Sequence, residues 1–471
     1  MNNKIKTIAM LLALTCFSSC TGGTVDDSVK NFDSNSSESE IVLPDYDAKK
    51  DEYTFLTSAF FSPVVTEESM KEYTDCGFDV MWINGNNVGY GDSQLIRNAL
   101  ALAEKQNVKC VIDATISRSE GLTKSMICND YGYQNYKSLW AVNAYDEPVT
   151  RQGDWGETAG IAEIGKYIPK FQQIYGKDMP FFVNCNPFPS QPLISDYNAY
   201  IKEDINEIVS KTDPSSQRWL SCDCYCLIYN PYYDTYYLRS TWLYNLQLYA
   251  EAKKNYPELD INTNFFILST PHTVQNVEGY KRDIDYNELR LQVYSLIAFG
   301  YDMVSYFTYA TPPSAGGETF YDALLDANGN KTERWYAAQK LNNEVHAFDH
   351  VFMQFDYKGA YGVTGTVDNH SNESFDYLNM LSLDELGELK STTATADTLI
   401  GIEEDENGNS GYTVVNYNDP SYENNDTVTM KFGRATKAIV YVGGKKQIKE
   451  LNNHELTLEL GIGEGVFVIP Y

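Results

Sequence analysis

Two adjacent carboxylates, Asp146 and Glu147, close the apolar run Trp140–Glu147, and Pro148 follows at once. A third acid, Asp223, lies in the segment Cys222-Asp223-Cys224-Tyr225-Cys226. Carboxylates gathered round one site suit cleavage of a glycosidic bond: one acid protonates the leaving oxygen, and a second group stabilises the cationic sugar centre. The residues closing the other apolar runs have matching chemistry. They are Trp82 and Asn84, Asp113, Asn184 and Asn186, Tyr225, His272 and Tyr306. Amides hold hydroxyls, and aromatic rings lie against the apolar faces of sugar rings. No run ends in Lys, which argues against Schiff-base chemistry. His-x-His and His-Glu-x-x-His spacings are absent from the sequence, so a metal hydrolase is not expected and no cofactor is implied.

Each of these residues also has a plainer reading. Asp146 could cap a following helix. Glu147 shares strand parity with Tyr145 and Asn143, so all three are expected to point into one mouth. Asp223 and Tyr225 fall on one face of their strand, and the three thiols fall on the other. Thiols spaced ~6.5 Å along an extended strand do not converge on a metal, so buried free thiols are expected. Asn184 and Asn186 share a face. Trp82 could stack on a sugar or fill a core, and His272 could bond a hydroxyl or be an ordinary loop histidine. Asp302 precedes its run and would lie at the wrong end.

These residues need a frame. Eight apolar runs, Phe55–Phe61, Phe78–Asn84, Val108–Thr115, Trp140–Glu147, Pro180–Asn186, Trp219–Leu227, Asn262–Thr270 and Met303–Tyr309, alternate with helix-like stretches. The helical stretches are Glu67–Cys76, Ser93–Gln106, Thr158–Tyr175, Asp196–Lys211, Tyr237–Asn255 and Asn287–Phe299. That alternation predicts a (β/α)8 barrel over residues 51–348, whose active site sits at the C-terminal ends of the strands. An open doubly wound sheet would show a Gly-rich turn after its first strand; Ser62-Pro63-Val64-Val65-Thr66 stands there instead. Over residues 349–471, short Val/Ile/Tyr/Thr runs alternate with turn signals such as Gly443-Gly444 and Asn452-Asn453. They predict a small antiparallel β-sandwich.

The 471 residues carry 36 Lys+Arg and 65 Asp+Glu, a net charge of −29, which argues against a nucleic-acid partner. Tyr is abundant at 37 residues, supplying amphipathic rings for a carbohydrate partner. Lys4 and Lys6 precede the apolar run Ile8–Phe17 and the small residues Ser18, Ser19 and Cys20, a signal-peptide layout over residues 1–19. The run is too short to span a membrane. Residues 20–50 are polar and acidic and read as a flexible tether. The nine Cys form no dense disulfide framework.

Cys20 after small residues resembles the lipobox of bacterial lipoproteins. That resemblance implies lipidation at Cys20, attachment to the membrane through the lipid alone, and export to the outer membrane, on its periplasmic or surface side. Asp26 and Asp27 loosely match surface-export signals of Bacteroidota lipoproteins. Trp140–Pro148 followed by Pro180–Pro187 resembles clan A-type barrel glycoside hydrolases of gut bacteria. The segment from Arg290 and Gln292 through Ala298-Phe299-Gly300 to Tyr306–Tyr309 is similar to relatives of the family 42 β-galactosidases. The resemblance spans residues 53 to 471 and implies Glu147 as general acid/base. It departs at the seventh strand, where the family carries a nucleophilic Glu: Asn262–His272 has no acid, and Glu278 comes only later. Asp223 could supply the second carboxylate. Alternatively, Asp146 and Glu147 could act together as in the substrate-assisted family 123 hexosaminidases. A non-catalytic glycan-binding barrel is the rival from another class.

Overall fold

Parallel strands buried on both faces read as unbroken apolar runs, and each of the eight runs contributes one strand. In the computed structural model, which describes residues 41–84, 93–113, 130–148, 160–190, 194–274, 282, 284–314, 317–367 and 371–471, they are β1 Leu56–Ala59, β2 Val80–Ile83, β3 Lys109–Asp113, β4 Leu139–Asp146, β5 Phe181–Cys185, β6 Arg218–Asp223, β7 Ile261–Leu268 and β8 Met303–Phe307. They close in the order β1-β8-β7-β6-β5-β4-β3-β2 with all neighbours parallel, the expected (β/α)8 barrel. The barrel is filled, not hollow. Trp82, Phe182, Trp219, Phe266 and Met303 pack inside it with small apolar neighbours.

Among the described residues the surrounding helices are α1 Glu67–Asp75, α2 Ser93–Lys105, α3 Ile161–Gly165, α4 Ile168–Tyr175, α5 Tyr197–Glu207, α6 Trp242–Asn255, α7 Tyr286–Ala298 and α8 Glu333–His346, with the single turn Asp349–Phe352 after them. Thr66 and Asp196 cap α1 and α5 through their side chains, and Asp285 with Glu288 forms a capping box on α7. The helix expected over 158–175 is broken in two around Lys166-Tyr167, just before Pro169. The helix expected from Tyr237 starts only at Trp242. The preceding chain forms a hairpin, Leu227–Asn230 paired with Thr235–Leu238, so β6 also ends earlier than expected.

Beyond the barrel, a six-stranded sheet and a three-stranded sheet enclose a second apolar core. Their strands are β9 Phe355–Val363, β10 Leu389–Ala394, β11 Thr398–Asp405, β12 Ser410–Asn416, β13 Asp426–Phe432, β14 Lys437–Val442, β15 Lys445–Glu450, β16 Glu455–Leu460 and β17 Gly465–Pro470. The orders are β9-β11-β12-β17-β14-β15 and β10-β13-β16, all antiparallel, as expected for a β-sandwich. Gly443-Gly444 makes the tight β14–β15 turn, with both residues at positive φ. The other turn is at Asn453-His454, one residue later than its sequence signal. Helix α7 is buried nearly all round, Glu288, Gln292 and Ser295 included, because it lies between the barrel and β11, β12 and β17. Gly401 lets β11 approach it: a Cβ there would stand 2.2 Å from the Ala298 carbonyl oxygen.

The end of the expected tether is docked on the body. The Tyr46 ring is buried and its hydroxyl donates to Asp405, while Asp47 pairs with His350 and Lys446. Cys20 and the leader lie outside the described residues, as do Cys128 and Glu278.

Candidate active site

A cavity of about 490 Å³ opens at the C-terminal end of the barrel. Asp146, Glu147 and Asp223 line it together with Asn184. The sequence brings them there through strand parity and one irregularity. On β6, Trp219, Ser221 and Asp223 face inward, while Leu220 and Cys222 pack outward. Cys226 follows in the same outer cluster, as the parity argument expected; Cys224, just past the strand end, touches that cluster but also lines the cavity. The six described cysteines are all buried free thiols.

On β4 the parity argument fails. The register against β5 slips between Asn143 and Tyr145, so Ala144 is a bulge. Asn143 faces inward and bonds Asp113, but Tyr145 then packs against the outer core and Asp146 takes the inward place beside Asn184. Tyr145 is therefore not among the cavity residues. Glu147 comes next with φ 45°, a left-handed conformation uncommon outside Gly. Its N–H donates to the Asn184 carbonyl oxygen at 2.9 Å. Such a backbone held just past a strand end is found most often at functional sites.

Asn184 organises the carboxylates. Its Nδ2 donates to Asp146 Oδ1 at 2.9 Å and to Asp223 Oδ1 at 3.0 Å. Two oxygens bonded to one trigonal amide nitrogen at these lengths stand about 5 Å apart. The amide is oriented from below: Ser221 Oγ donates to Asn184 Oδ1 at 2.8 Å and accepts from Asn264 Nδ2 at 3.0 Å. Asn264 Oδ1 accepts from Ser305 at 2.8 Å, Ser305 stands 2.6 Å from Ser58, and Ser58 accepts from Trp82 Nε1 at 3.2 Å. From Ser305 onward every donor in this belt points the same way, towards the two aspartates, while the Ser58 hydroxyl is shared between the Val304 carbonyl and Ser305. Aligned hydrogen bonds polarise one another, so the belt presents an enhanced positive dipole at the Asn184 amide.

Aromatic rings form the remaining surface. Phe60, Phe266 and Phe307 line the opening, with Phe60 5.6 Å from Phe266 and 6.0 Å from Phe307. Tyr225 and His272 stand against Phe307 at 5.3 and 5.8 Å. Burial pushes the Tyr225 hydroxyl well above the usual phenol range, and Asp223, Asp146, Glu147 and Glu318 add to the effect. It therefore stays protonated, a donor among acids. Burial lowers the His272 pKa. Its Nδ1 lies 3.1 Å from the Thr270 carbonyl oxygen, which only accepts, so neutral His272 carries its proton on Nδ1.

Besides Tyr145, five residues expected at the site are elsewhere: Trp82, Tyr306, Asn186, Asn84 and Asp113. Trp82 is fully buried beneath Phe60, with ring centroids 5.7 Å apart, so no sugar can stack on it. The Tyr306 side chain points outward, its hydroxyl bonded to Asn342 at 2.9 Å, and Phe307 takes the inward place. Asn186 is buried against Tyr200, beyond the strand end. Asn84 bonds the Phe61 N–H, and its amide donates to Asp113, which also accepts from Asn143; all three are buried below the cavity. Asp302 holds Lys253 and Thr263 at the far end of the barrel, as expected.

Sequence reasoning missed Arg239, Glu318, Phe60, Phe266 and Phe307. Inward alternation from Met303 and Ser305 would have found Phe307. Glu318 comes from Glu318–Phe320, which pairs with His272–Val274, and no local signal announces that pairing.

No family model matches the chain, and no curated protein matches it. Solved structures similar to it include a catalytic mutant of a family 42 β-galactosidase from G. stearothermophilus (8% identity, TM-score 0.47, 88% of this chain and 98% of that one). Others are a putative α-galactosidase from Bacteroides fragilis (10% identity, TM-score 0.45, 89% and 79%) and a putative glycoside hydrolase from Bacteroides vulgatus (8% identity, TM-score 0.44, 89% and 78%). At such identities no residue role passes from them to this chain.

Proposed function

We propose that the protein is a glycoside hydrolase, with Glu147 as general acid/base and Asp223 as the carboxylate facing the anomeric centre. The observation that carries this reading is the Asn184 amide, bonded to Asp146 and Asp223 at once in a cavity that Glu147 also lines. Four carboxylates, Glu318 among them, beside aromatic rings suit a neutral, hydroxylated substrate that becomes cationic in its transition state. Glu147 protonates the leaving oxygen, Asp223 stabilises or attacks the anomeric carbon, and water completes the hydrolysis. Asp146, tied to Asp223 through one amide, sets the position of that carboxylate. Carboxyl groups about 5–5.5 Å apart retain anomeric configuration, and groups about 6.5–9.5 Å apart invert it.

The second reading, a glycan-binding barrel without hydrolysis, draws on the end of β7, where Ser269 and Thr270 bond Thr308 and no carboxylate stands. A panel of aryl glycosides separates the two. Turnover that falls in Glu147→Gln on poor leaving groups, and in Asp223→Ala with rescue by azide, supports hydrolysis with these roles. Binding without turnover supports the other reading. Matched substrates with and without a 2-acetamido group test substrate assistance, which requires that group and should fail in Asp146→Asn.

The reading extends to location. The leader and Cys20 support a lipoprotein held at the outer membrane. Cys20→Ala should release the protein from membranes; unchanged retention, with no lipid on the mature chain, would contradict it.

A further inference from the structure

The hairpin Leu227–Asn230/Thr235–Leu238 carries five tyrosines in twelve residues, and the cavity does not use them. Tyr232 is 87% exposed and Tyr233 is 78% exposed, extreme values for such large rings. Leaving them in water forgoes the stabilisation that burial of an aromatic ring would give, and the fold gains no core from them. The turn holding them is nonetheless built. The Asn230 side chain accepts from the Tyr232 N–H at 3.0 Å, and the Tyr229 hydroxyl donates to Asp234 at 2.9 Å. Behind the turn, the Tyr229 and Tyr236 rings lie 5.0 Å apart, and the buried Arg282 guanidinium sits over Tyr236 at 5.3 Å. The turn that presents the two exposed rings is thus built before any partner arrives.

Both ends of this hairpin are tied to the cavity wall. Tyr225 leads into it and Arg239 leads out, and both line the cavity. The Arg239 N–H donates to the Cys226 carbonyl at 2.8 Å, and its Nε donates to the Tyr225 carbonyl at 3.1 Å. The hairpin therefore begins and ends beside the cavity wall. The net charge of −29 and the acids at the cavity disfavour a polyanion. Flat rings with hydroxyl edges suit a neutral glycan, whose units present apolar faces rimmed by hydroxyls.

We propose that this hairpin is a binding platform for further sugar units of the chain whose end occupies the cavity, so that the protein acts on a neutral oligo- or polysaccharide. The proposal rests on the glycosidase reading for the cavity and specifies its substrate class. The platform adds binding energy that grows with chain length until the rings are covered.

The test uses the full-length protein, Tyr232→Ala/Tyr233→Ala, and Tyr232→Phe/Tyr233→Phe, with melting curves to check folding. Affinity electrophoresis in gels containing starch, β-1,4-galactan, arabinan or galactomannan reads binding without any need for catalysis. Wild type should be retarded in at least one gel, the Ala variant should lose about tenfold in affinity, and the Phe variant should keep it, because the ring faces make the contact. On the hydrolysed sugar, the ratio of kcat/KM for a six-unit chain to that for the aryl monoside should fall by a similar factor in the Ala variant alone. No retardation of wild type in any gel together with no chain-length dependence would overturn the platform. So would equal affinity and ratio in the Ala variant. A wild-type dimer that the Ala variant converts to monomer in sedimentation, without loss of glycan affinity, would assign the tyrosines to self-association and overturn it too. Loss of the glycosidase reading alone would show as gel binding without turnover.

Discussion

Replacing Asn184 by Leu keeps the side-chain volume and removes a group that bonds two of the cavity's four carboxylates. Its amide bonds, at 2.9 and 3.0 Å, are hydrogen bonds to charged acceptors, each worth about 1.5–3 kcal/mol. Without them, two carboxylates about 5 Å apart face each other with a repulsion of about 3 kcal/mol at an effective dielectric of 20. Both aspartates are half-buried, so water and side-chain movement recover part of that. A net loss of about 3 kcal/mol from the transition state remains, which is a fall of about two decades in kcat/KM. Ser221 also loses its acceptor, which adds a stability cost of about 1–3 kcal/mol for an unsatisfied buried hydroxyl. The assay is steady-state hydrolysis of an activated aryl glycoside, with melting curves recorded in parallel. Ser221→Ala and Asn264→Ala, further back along the belt, should give progressively smaller losses. Activity of Asn184→Leu within about threefold of wild type, while Asp223→Asn is inactive, would refute the claim that this amide sets the carboxylate geometry.

Asp204, on α5, is fully buried, with the weakly donating Cys185 thiol beside its carboxylate. Burial raises its pKa to about 7. The folded protein therefore keeps a proton that the unfolded chain releases above about pH 4, and stability falls as pH rises from about 4 to about 7, by an amount on the order of 4 kcal/mol. Asp204→Asn should be more favourable, relative to wild type, at pH 8 than at pH 5; parallel melting-temperature profiles would contradict this. Gly401→Ala should destabilise by about 1–3 kcal/mol or more, read as a lower urea midpoint, because its Cβ would meet the Ala298 carbonyl. An unchanged midpoint would show that β11 and α7 separate without cost.

Most of the frame was legible in the sequence for a simple reason. Strands buried on both faces must be apolar along their whole length, and helices between them must be amphipathic. Asp223 was placed by the same two-residue alternation that turned its neighbouring thiols outward. Where alternation misled, a local irregularity was responsible. The bulge at Ala144 exchanged Tyr145 for Asp146, and nothing in Trp140–Glu147 signals it. Asn186 and Trp82 failed differently: one lies past the strand end, and the other lies one layer too deep. The sequence reading runs a strand to Leu227 and starts a helix at Tyr237, with no element between; the hairpin there is decided only by the pairing of its two arms. In the sandwich, β15 carries little apolar signal because Lys445–Glu450 is an exposed, charged edge strand.

The most direct test of the central claim is release of sugar from a panel of aryl glycosides, 2-acetamido sugars included, by wild type, Glu147→Gln and Asp223→Asn at matched folding. Turnover by wild type on at least one substrate, with a loss of about two decades or more in each variant on a poor leaving group, is the predicted result. Turnover by wild type that both variants retain would contradict the assignment of these carboxylates.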